Sequence, residues 1–358
     1  MQQPTRIAVV GYGLIGRRHA AVVQRLPELD LCAVVEPSEE GRAVAREQGL
    51  AVYETIEAML DEAKPQGIVL ATPTPVHPEQ CLHAIAAGVP TLVEKPIAVT
   101  SRDALSITNA AEMAGVPLLV GHHRRHNGMV KAAKEAIASG AIGDVRAVQA
   151  TCWFYKPDYY FDVAPWRTKK GAGPISVNLV HDVDLLRHFC GEVESVQAVS
   201  APSRRGFENE DLATAILRFA SGAIATISVS DSIVGPWSWE MTARENPAYP
   251  ATQESCYLIG GSEGGLSLPD LRLWSHGEKP DWWTPINAQS LRCETEDPLV
   301  QQMLHFARVI LGEEPPLVTG LEGLKSLEVV EAVAESAATG REVTVRGGQA
   351  REPLAIPA

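Results

Sequence analysis

Three glycines near the N-terminus stand between a strand-like run and a helical pattern. Residues 6–10 read RIAVV, Gly11, Gly13 and Gly16 follow with the spacing GxGxxG, and residues 15–26 have helical periodicity. In such a turn the first glycine permits the tight bend, the second lets the backbone approach a pyrophosphate, and the third lets the helix pack on the strand. The order therefore predicts the start of a dinucleotide-binding sheet, with the helix N-terminus facing the phosphates.

Short apolar runs alternate with helical patterns through about the first 120 residues. We predict strands at 6–10, 31–35, 67–71, 91–94 and 117–120, and helices at 15–26, 38–48, 55–63, 77–87 and 101–114. This alternation is typical of a parallel sheet that is covered by helices on both faces. The fold class is therefore α/β, with a doubly wound Rossmann domain over residues 1–122.

Longer, two-faced strands follow in the second part of the chain. We predict strands at 145–155, 194–201, 211–219, 222–231, 237–243 and 254–259, and helices at 127–138, 174–189, 297–311 and 320–338. Turns such as residues 220–222 between such strands are typical of a meander, so the sheet is expected to be mostly antiparallel. We predict an α+β domain over residues 123–345 and a loose tail over 346–358.

The composition excludes several classes of partner and compartment. The net charge of −13 opposes nucleic acid as the main partner. Six scattered cysteines without a CxxC pair are typical of a reducing compartment. With no signal-peptide pattern and no apolar stretch of membrane-spanning length, we expect a cytoplasmic protein that does not associate with membranes.

An acidic residue at the end of the second predicted strand bears on the choice of cofactor. Glu36 lies 20 residues after Gly16, where a carboxylate can accept hydrogen bonds from ribose hydroxyls and repel a 2′-phosphate. We therefore expect NAD, with NADP less favoured. Two alternatives stay open: Arg42 can accommodate a 2′-phosphate, and a flavodoxin-like sheet can carry an incidental glutamate at this position.

The ends of the next strands provide further candidates at the same sheet edge. Thr72 and Pro73 follow the strand at 67–71, near the expected nicotinamide half, although a plain rigid turn explains them equally well. The candidate cofactor-binding residues are Gly11, Gly13, Leu14, Ile15, Gly16, Glu36, Thr72, Pro73, His77, Glu94 and Lys95.

Two residues are candidates for proton transfer. Lys95 lies within Glu94-Lys95-Pro96 at a strand's carboxyl end, and it gains interest because the glycine turn is at the same edge. His181 recurs with Asn178 at a three-residue step on a predicted helix, and histidine commonly moves protons near neutral pH. The alternatives are a solvated lysine and a packed helix whose histidine is satisfied by its own backbone.

Two basic segments are candidates for substrate contact. Residues 121–127 read GHHRRHN, and their adjacent histidines beside arginines form a poor chelating geometry, so we expect no metal. Arg124 and Arg125 are instead expected to contact substrate or the other domain. Trp166 and Arg167 precede a glycine pair; a planar arginine can bind carboxylates, so an acidic substrate is an open alternative, as is plain surface charge.

Taken together, these residues resemble the Gfo/Idh/MocA oxidoreductase family, which includes glucose–fructose oxidoreductase and inositol dehydrogenase. The likeness covers nearly the whole chain, from the glycine turn through Glu94-Lys95-Pro96 and the arginine segment to His181. It implies that the C-terminal domain over residues 123–345 binds substrate and mediates oligomerisation. This domain is built on a large open sheet, and homodimers or homotetramers assemble through the sheet's exposed face. It also implies oxidation of a secondary alcohol of a sugar, cyclitol or dihydrodiol, or the reverse reduction. Lys95 and His181 correspond to the catalytic lysine and histidine.

One position departs from that resemblance. Many inositol-dehydrogenase-like members carry an aspartate four residues before the histidine, and Val177 stands there in this chain. A simple Asp–His pair is absent, so Lys95 is expected to carry more of the proton transfer. The candidate substrate-contacting residues are Arg124, Arg125, Trp166, Arg167, Asn178 and His181. Two alternatives remain, a dehydrogenase of a carboxylated cyclic dihydrodiol and a non-catalytic dinucleotide-binding regulator; the intact lysine motif opposes the second.

Overall fold

The computed structural model describes residues 3–277 and 279–347, which form two compact units. One unit comprises residues 3–126 with Asp297–Leu327, and the other Asn127–Glu296 with Glu328–Gly347. This division differs from the predicted domains at 1–122 and 123–345, because Asp297–Leu327 belongs to the first unit. Of the predicted tail at 346–358, all but the first two residues lie outside the described part of the chain.

The first unit contains a six-stranded parallel sheet. Its strands are β1 Thr5–Val10, β2 Leu29–Val35, β3 Val52–Tyr53, β4 Gly67–Leu70, β5 Thr91–Val93 and β6 Leu118–Val120. The helices between them are α1 Leu14–Arg25, α2 Glu39–Glu47, α3 Ile56–Ala63, α4 His77–Ala86 and α5 Ser101–Ala114. The strand order β3-β2-β1-β4-β5-β6 places the switch point, where ligands bind in such sheets, between β1 and β4. The predicted doubly wound sheet is confirmed.

The strands of this sheet are continuously apolar because both faces are covered. Along β1, Ile7 and Val9 pack into one hydrophobic cluster, and Ala8 and Val10 pack into another on the opposite face. Residues of the segment Asp297–Leu327 contribute to both clusters, so this segment completes the core of the first unit. Burial of alternate residues on two sides explains why a period of two is absent from the sequence.

The second unit is built on a nine-stranded sheet. In chain order its elements are α6 Gly128–Ala138, β7 Val145–Trp153, α7 Asp158–Asp162, α8 Pro174–Val177, α9 Leu179–Cys190, β8 Val193–Pro202, β9 Glu210–Phe219, β10 Ile224–Ser230, α10 Trp239–Thr242, β11 Tyr257–Gly261, β12 Gly264–Leu268, β13 Arg272–His276 and β14 Ile286–Ser290. Of α12 Gly320–Thr339 the residues from Glu328 belong to this unit, and strand β15 Val343–Thr344 follows; helix α11 Pro298–Ile310 and the start of α12 belong to the first unit. The strand order is β14-β13-β12-β11-β7-β10-β9-β8-β15. Among the described strands of this sheet, β7 and β10 form a parallel pair and the other neighbours are antiparallel, which confirms the mostly antiparallel expectation.

One face of this sheet packs on helices and the other is exposed. Along β9, Ala213, Ala215 and Leu217 are buried in the main core of the second unit. The residues that alternate with them, Thr214, Ile216 and Arg218, are exposed. The covered face packs against residues of α9 and of the later part of α12. Within the described residues, no helix combines the length and the apolar character that crossing a bilayer requires.

Two elements of the second unit differ from the prediction. The strand predicted at 237–243 is wrong, because residues 239–242 form the short helix α10, whose first turn Ser238 caps by accepting from the Met241 N–H at 3.3 Å. Trp239 is buried edge-on against Tyr257, with ring centroids 5.9 Å apart, so its side chain serves the core. The helix predicted at 174–189 is interrupted at Asn178, where α8 ends and α9 begins.

Candidate active site

The glycine turn lies at the carboxyl end of β1, beside the switch point of the sheet. Gly11 has a φ of +91°, and a Cβ atom there would lie 2.7 Å from the carbonyl oxygen of Ala71. A Cβ atom on Gly16 would overlap the carbonyl oxygen of Gly11. At Gly13, by contrast, no described heavy atom outside its chain neighbours lies within 4 Å of the Cβ position. Two glycines are therefore required by the fold, and Gly13 leaves open space in front of the backbone.

The first turn of α1 faces this open space. Gly13 is its N-cap residue, and within the described chain neither a side-chain cap nor an acidic residue neutralises the turn. Its free N–H groups therefore form an anion-binding end, which fits a pyrophosphate. Leu14 and Ile15 are exposed here. The turn is held from behind, because Arg17 Nε donates to the carbonyl oxygen of Tyr12 at 3.0 Å.

Glu36 follows β2 and accepts three hydrogen bonds. Its Oε2 accepts from the Tyr12 N–H at 3.0 Å, and its Oε1 accepts from the N–H and the hydroxyl of Ser38 at 3.0 and 2.7 Å. Burial alone would raise the pKa of Glu36, but these hydrogen bonds and the charge of Arg17 outweigh it and lower the pKa. A carboxylate is therefore present next to the glycine turn, where it can accept from ribose hydroxyls.

Arg42 is the residue because of which NADP remained an alternative cofactor. Its side chain forms hydrogen bonds within its own loop. Its Nη1 donates to the carbonyl oxygens of Glu36 and Pro37 at 3.1 and 2.6 Å, and its Nε and Nη2 donate to the Glu39 carboxylate at 3.1 and 2.7 Å. A guanidinium held in this way is not presented to a 2′-phosphate. The arrangement therefore favours NAD.

His77 joins the loops that follow β4 and β5. Its Nε2 lies 2.9 Å from the carbonyl oxygen of Thr72, and its Nδ1 lies 3.0 Å from that of Pro96. Burial lowers the pKa of His77, against the effect of these two carbonyl oxygens. Because its ring is buried between two backbone acceptors, His77 positions the loop that carries Thr72 and Pro73.

Glu94 and Lys95 directly follow β5. The Glu94 carboxylate contacts the buried His19 Nε2 at 2.7 Å and accepts from the Lys95 N–H at 3.2 Å. Burial raises the pKa of Glu94, but the hydrogen bond from His19 and the charges of His19, Lys95 and His123 outweigh it and lower the pKa to about 2. Glu94 is therefore an ionised, fixed group beside Lys95, and it is a poor proton acceptor at neutral pH.

Arg124 and Arg125 lie in the 3₁₀ turn His123–His126 and are both buried. Arg125 Nη2 pairs with the Glu322 carboxylate at 3.4 Å, so this arginine contacts a residue of α12 within the first unit. A substrate contact for either arginine stays a prediction.

Asn178 and His181 lie one helical turn apart at the start of α9, and both are buried. Asn178 Oδ1 accepts a hydrogen bond from Lys156 Nζ at 2.8 Å. Arg167, in the 3₁₀ turn Pro165–Thr168, lies with its Cζ 4.0 Å from the centre of the Tyr160 ring. Trp166 beside it is exposed.

The structure thus brings the candidates together in two sets. The first unit places the glycine turn, Glu36, the loop after β4 and Glu94-Lys95 along one carboxyl edge of its sheet. The second unit holds Trp166, Arg167, Asn178 and His181. Sequence reasoning missed His19 and Lys156, the partners of Glu94 and Asn178. A histidine on the buried face of the helix after a glycine turn is a signal that could have identified the first; nothing local marks the second.

Comparison with known proteins decides the family. Residues 5–122 match the family model described as "Oxidoreductase family, NAD-binding Rossmann fold", and residues 130–267 match the "GFO/IDH/MocA C-terminal domain". The chain belongs to the Gfo/Idh/MocA family. The Gfo/Idh/MocA resemblance, the oxidoreductase activity and NAD as cofactor are thereby confirmed, and the glycine turn fits that cofactor.

Individual relatives cover nearly the whole length of the chain. It is 28% identical to 1,5-anhydro-D-fructose reductase of Ensifer adhaerens over 96% of this chain and 99% of that protein. It is 26% identical to scyllo-inositol 2-dehydrogenase (NAD(+)) of Bacillus subtilis over 96% and 97%. The WlbA dehydrogenase of Bordetella pertussis, solved with NADH and UDP-GlcNAcA, has a similar fold with a TM-score of 0.76 and 26% identity over 95% and 98%.

Proposed function

We propose that this oxidoreductase exchanges a hydride with a secondary alcohol or ketone of a sugar, cyclitol or related cyclic polyol. Relatives named for 1,5-anhydro-D-fructose and for scyllo-inositol support this class of substrate. The observation that carries the chemistry is Lys95, which follows β5 at the edge that holds the glycine turn and lies beside the ionised Glu94.

The roles of the side chains follow from their chemistry. When bound, NAD⁺ supplies the hydride acceptor at nicotinamide C4. In its unprotonated form, Lys95 Nζ takes the proton of the substrate hydroxyl during oxidation and returns it during reduction. Glu94 cannot take that proton, because its pKa is about 2. It fixes the backbone at Lys95 through the 3.2 Å hydrogen bond.

Further roles are proposed for the second set of candidates. His181 orients the substrate hydroxyl or relays the proton, and it does so without a carboxylate at Val177. Arg124, Arg125 and Arg167 bind polar groups of the substrate, since a guanidinium offers several donors in a fixed plane.

A spectrophotometric screen for NAD⁺ reduction tests the substrate class, with neutral sugars, inositols and carboxylated cyclic diols compared side by side. Lys95→Met is expected to lower kcat on any substrate found by at least about 100-fold. Lys131→Met, at an exposed lysine of α6, is the matched control and should behave as wild type. Normal turnover by Lys95→Met would refute the assignment. Stoichiometric NADH binding without turnover on the whole panel would favour the regulator.

We also propose a homodimer or homotetramer that assembles through the exposed face of the nine-stranded sheet, in the cytoplasm. In support, Val199, Ile216, Ile224 and Leu258 expose apolar side chains on this face. Light scattering after size exclusion should give a multiple of the chain mass of 38.5 kDa. Ile216→Glu should reduce that multiple, and cell fractionation tests the location.

A further inference from the structure

The side-chain amide of Asn178 has a defined orientation. Its Oδ1 accepts from Lys156 Nζ at 2.8 Å, and both side chains are more than nine-tenths buried. An ammonium group has no lone pair, so the amide atom that faces it must be the oxygen. Within the described residues no acceptor binds Asn178 Nδ2, whose two N–H groups therefore remain available to a ligand.

The parallel pairing of β7 and β10 places Lys156 where it can hold this amide. Lys156 follows the end of β7 and Asp231 follows the end of β10, and the last paired residues of these strands are Trp153 and Ser230. Because the two strands run in the same direction, the residues after them emerge side by side. Lys156 Nζ lies 3.7 Å from Asp231 Oδ2, and the Lys156 N–H donates to the Asp231 carbonyl oxygen at 2.9 Å.

Arg205 clamps the same two strand ends. Its Nη1 lies 3.3 Å from Asp231 Oδ1, and its Nη2 donates to the carbonyl oxygens of Lys156 and Asp231 at 2.7 and 3.3 Å. The Lys156 ammonium also lies 5.1 Å from the centre of the Tyr160 ring. Lys156 is therefore held by a carboxylate, a ring and its own clamped backbone, with one short hydrogen bond directed at Asn178.

Opposite charges at this site offset part of the cost of burial. Burial lowers the pKa of Lys156, and the negative charge of Asp231 counters it. Burial likewise raises the pKa of Asp231, against the charges of Lys156 and Arg205. A buried ion pair of this kind often contributes no more stability than apolar side chains of similar volume. Its clear structural effect here is the orientation of one amide.

We propose that Lys156 is a positioning residue, which holds Asn178 so that Nδ2 donates a hydrogen bond to an oxygen of the substrate. The site then favours a hydroxyl or carbonyl oxygen at this point and disfavours an ammonium group, which cannot accept. Asn178 begins α9 one turn before His181, so the donated hydrogen bond lies near the proposed proton relay. This inference rests on the proposed function, because it takes Asn178 to face the substrate.

The first test needs no substrate. Full-length protein with saturating NADH, labelled with ¹⁵N at asparagine side chains, is compared by NMR with Lys156→Met. The Asn178 signal, identified by its loss in Asn178→Ala, should shift in Lys156→Met. It should stay in place in Lys169→Met, a matched control whose exposed lysine pairs with Glu208 at 2.6 Å. An unchanged Asn178 signal in Lys156→Met overturns the proposed orientation even if no turnover is ever found.

The second test measures binding and turnover separately, with myo-inositol as the first probe and then any polyol found in the screen. Lys156→Met should raise KM about tenfold, the loss of one hydrogen bond of ordinary strength, with kcat changed less than about threefold. In the Asn178→Ala background the same substitution should leave KM unchanged, because Lys156 acts only through Asn178. An equal rise of KM in both backgrounds overturns the positioning role.

Two further variants keep the test decisive. Lys156→Arg retains a charged donor, so its KM should lie closer to the wild-type value than the KM of Lys156→Met does. If Lys156→Met does not fold, the double variant that combines Lys156→Met with Asp231→Asn takes its place in every measurement. The double variant removes both charges of this ion pair. Absence of turnover in wild type concerns the proposed function alone, since the NMR comparison remains readable.

Discussion

Gly13 and Gly16 lie three residues apart in one turn, and alanine at the two positions should have different consequences. A methyl group on Gly16 would overlap the carbonyl oxygen of Gly11, and backbone cannot yield as a flexible side chain does. Helix α1 must then move away from β1, although its Val22 and Val23 are packed in the core. A methyl group on Gly13 meets no described atom within 4 Å, and its φ of −73° suits alanine.

The magnitudes separate folding from binding. Overpacking of a core costs about 1–3 kcal/mol, whereas alanine in place of glycine at an N-cap costs about 1 kcal/mol or less. Since 1 kcal/mol shifts Tm by about 2–4 °C in a domain of 150–250 residues, Gly16→Ala should lose several degrees and Gly13→Ala at most a few. The methyl group on Gly13 instead fills the space in front of the α1 N–H groups. Loss of one hydrogen bond to a phosphate there is worth about 1.5–3 kcal/mol, or roughly 10- to 150-fold in Kd.

The assay pairs thermal unfolding with a fluorescence titration of NADH. Gly13→Ala should keep nearly the wild-type Tm and bind NADH at least about tenfold more weakly. Gly16→Ala should lose both stability and binding. The reasoning is refuted if Gly13→Ala binds NADH within a factor of about two of wild type, or if it loses as much Tm as Gly16→Ala.

Three further predictions concern charge and protonation. Glu36→Gln should lower the preference for NAD⁺ over NADP⁺ in kcat/KM by about tenfold or more. Arg42→Ala should leave the KM for NADP⁺ unchanged, because the Arg42 guanidinium donates to carbonyl oxygens of its own loop. The pKa of Glu94 is about 2 in the folded state against the ordinary 4.5. Ionised Glu94 therefore contributes about 3 kcal/mol to the free energy of unfolding above pH 4.5, and this contribution is lost as the pH falls toward 2. The free energies of unfolding of wild type and Glu94→Gln, measured with urea, should therefore converge as the pH is lowered. A difference between them that stays constant with pH would contradict this. Burial raises the pKa of Cys81 to about 12, so mass spectrometry should find it alkylated by iodoacetamide at pH 8 only after unfolding.

Much of the first unit could be predicted from the sequence because each of its strands and helices is marked by a pattern of neighbouring residues. Each strand is a short apolar run, and each is followed by a helical pattern with turn residues between them. Since parallel strands place their carboxyl ends at one edge, the positions of Glu36 and Lys95 followed from order alone. Strand β3 was missed because two residues, Val52 and Tyr53, are too short to show a period.

The contacts that give the candidate site its chemistry were beyond such reasoning. The contact between His19 and Glu94 joins residues 75 apart, and that between Lys156 and Asn178 joins residues 22 apart. Both depend on which elements pack side by side, which no local pattern states. At Trp239 the local pattern was misleading. The residues around it predicted a strand, but Trp239 is buried within a helical turn that Ser238 caps.

The first unit is assembled from two separate stretches of chain, and this limits how it can be exchanged between related proteins. A fragment that stops at residue 126 would lack Met303 and Phe306, which are fully buried in the cluster of Ile7 and Val9. It would also lack Val318, whose carbonyl oxygen accepts from the Val120 N–H at 2.9 Å. A swap of cofactor domains between relatives must therefore carry residues 297–327 along with the N-terminal stretch. Recombination at a single breakpoint would yield a Rossmann sheet with part of its core missing, so the two units are expected to be inherited together.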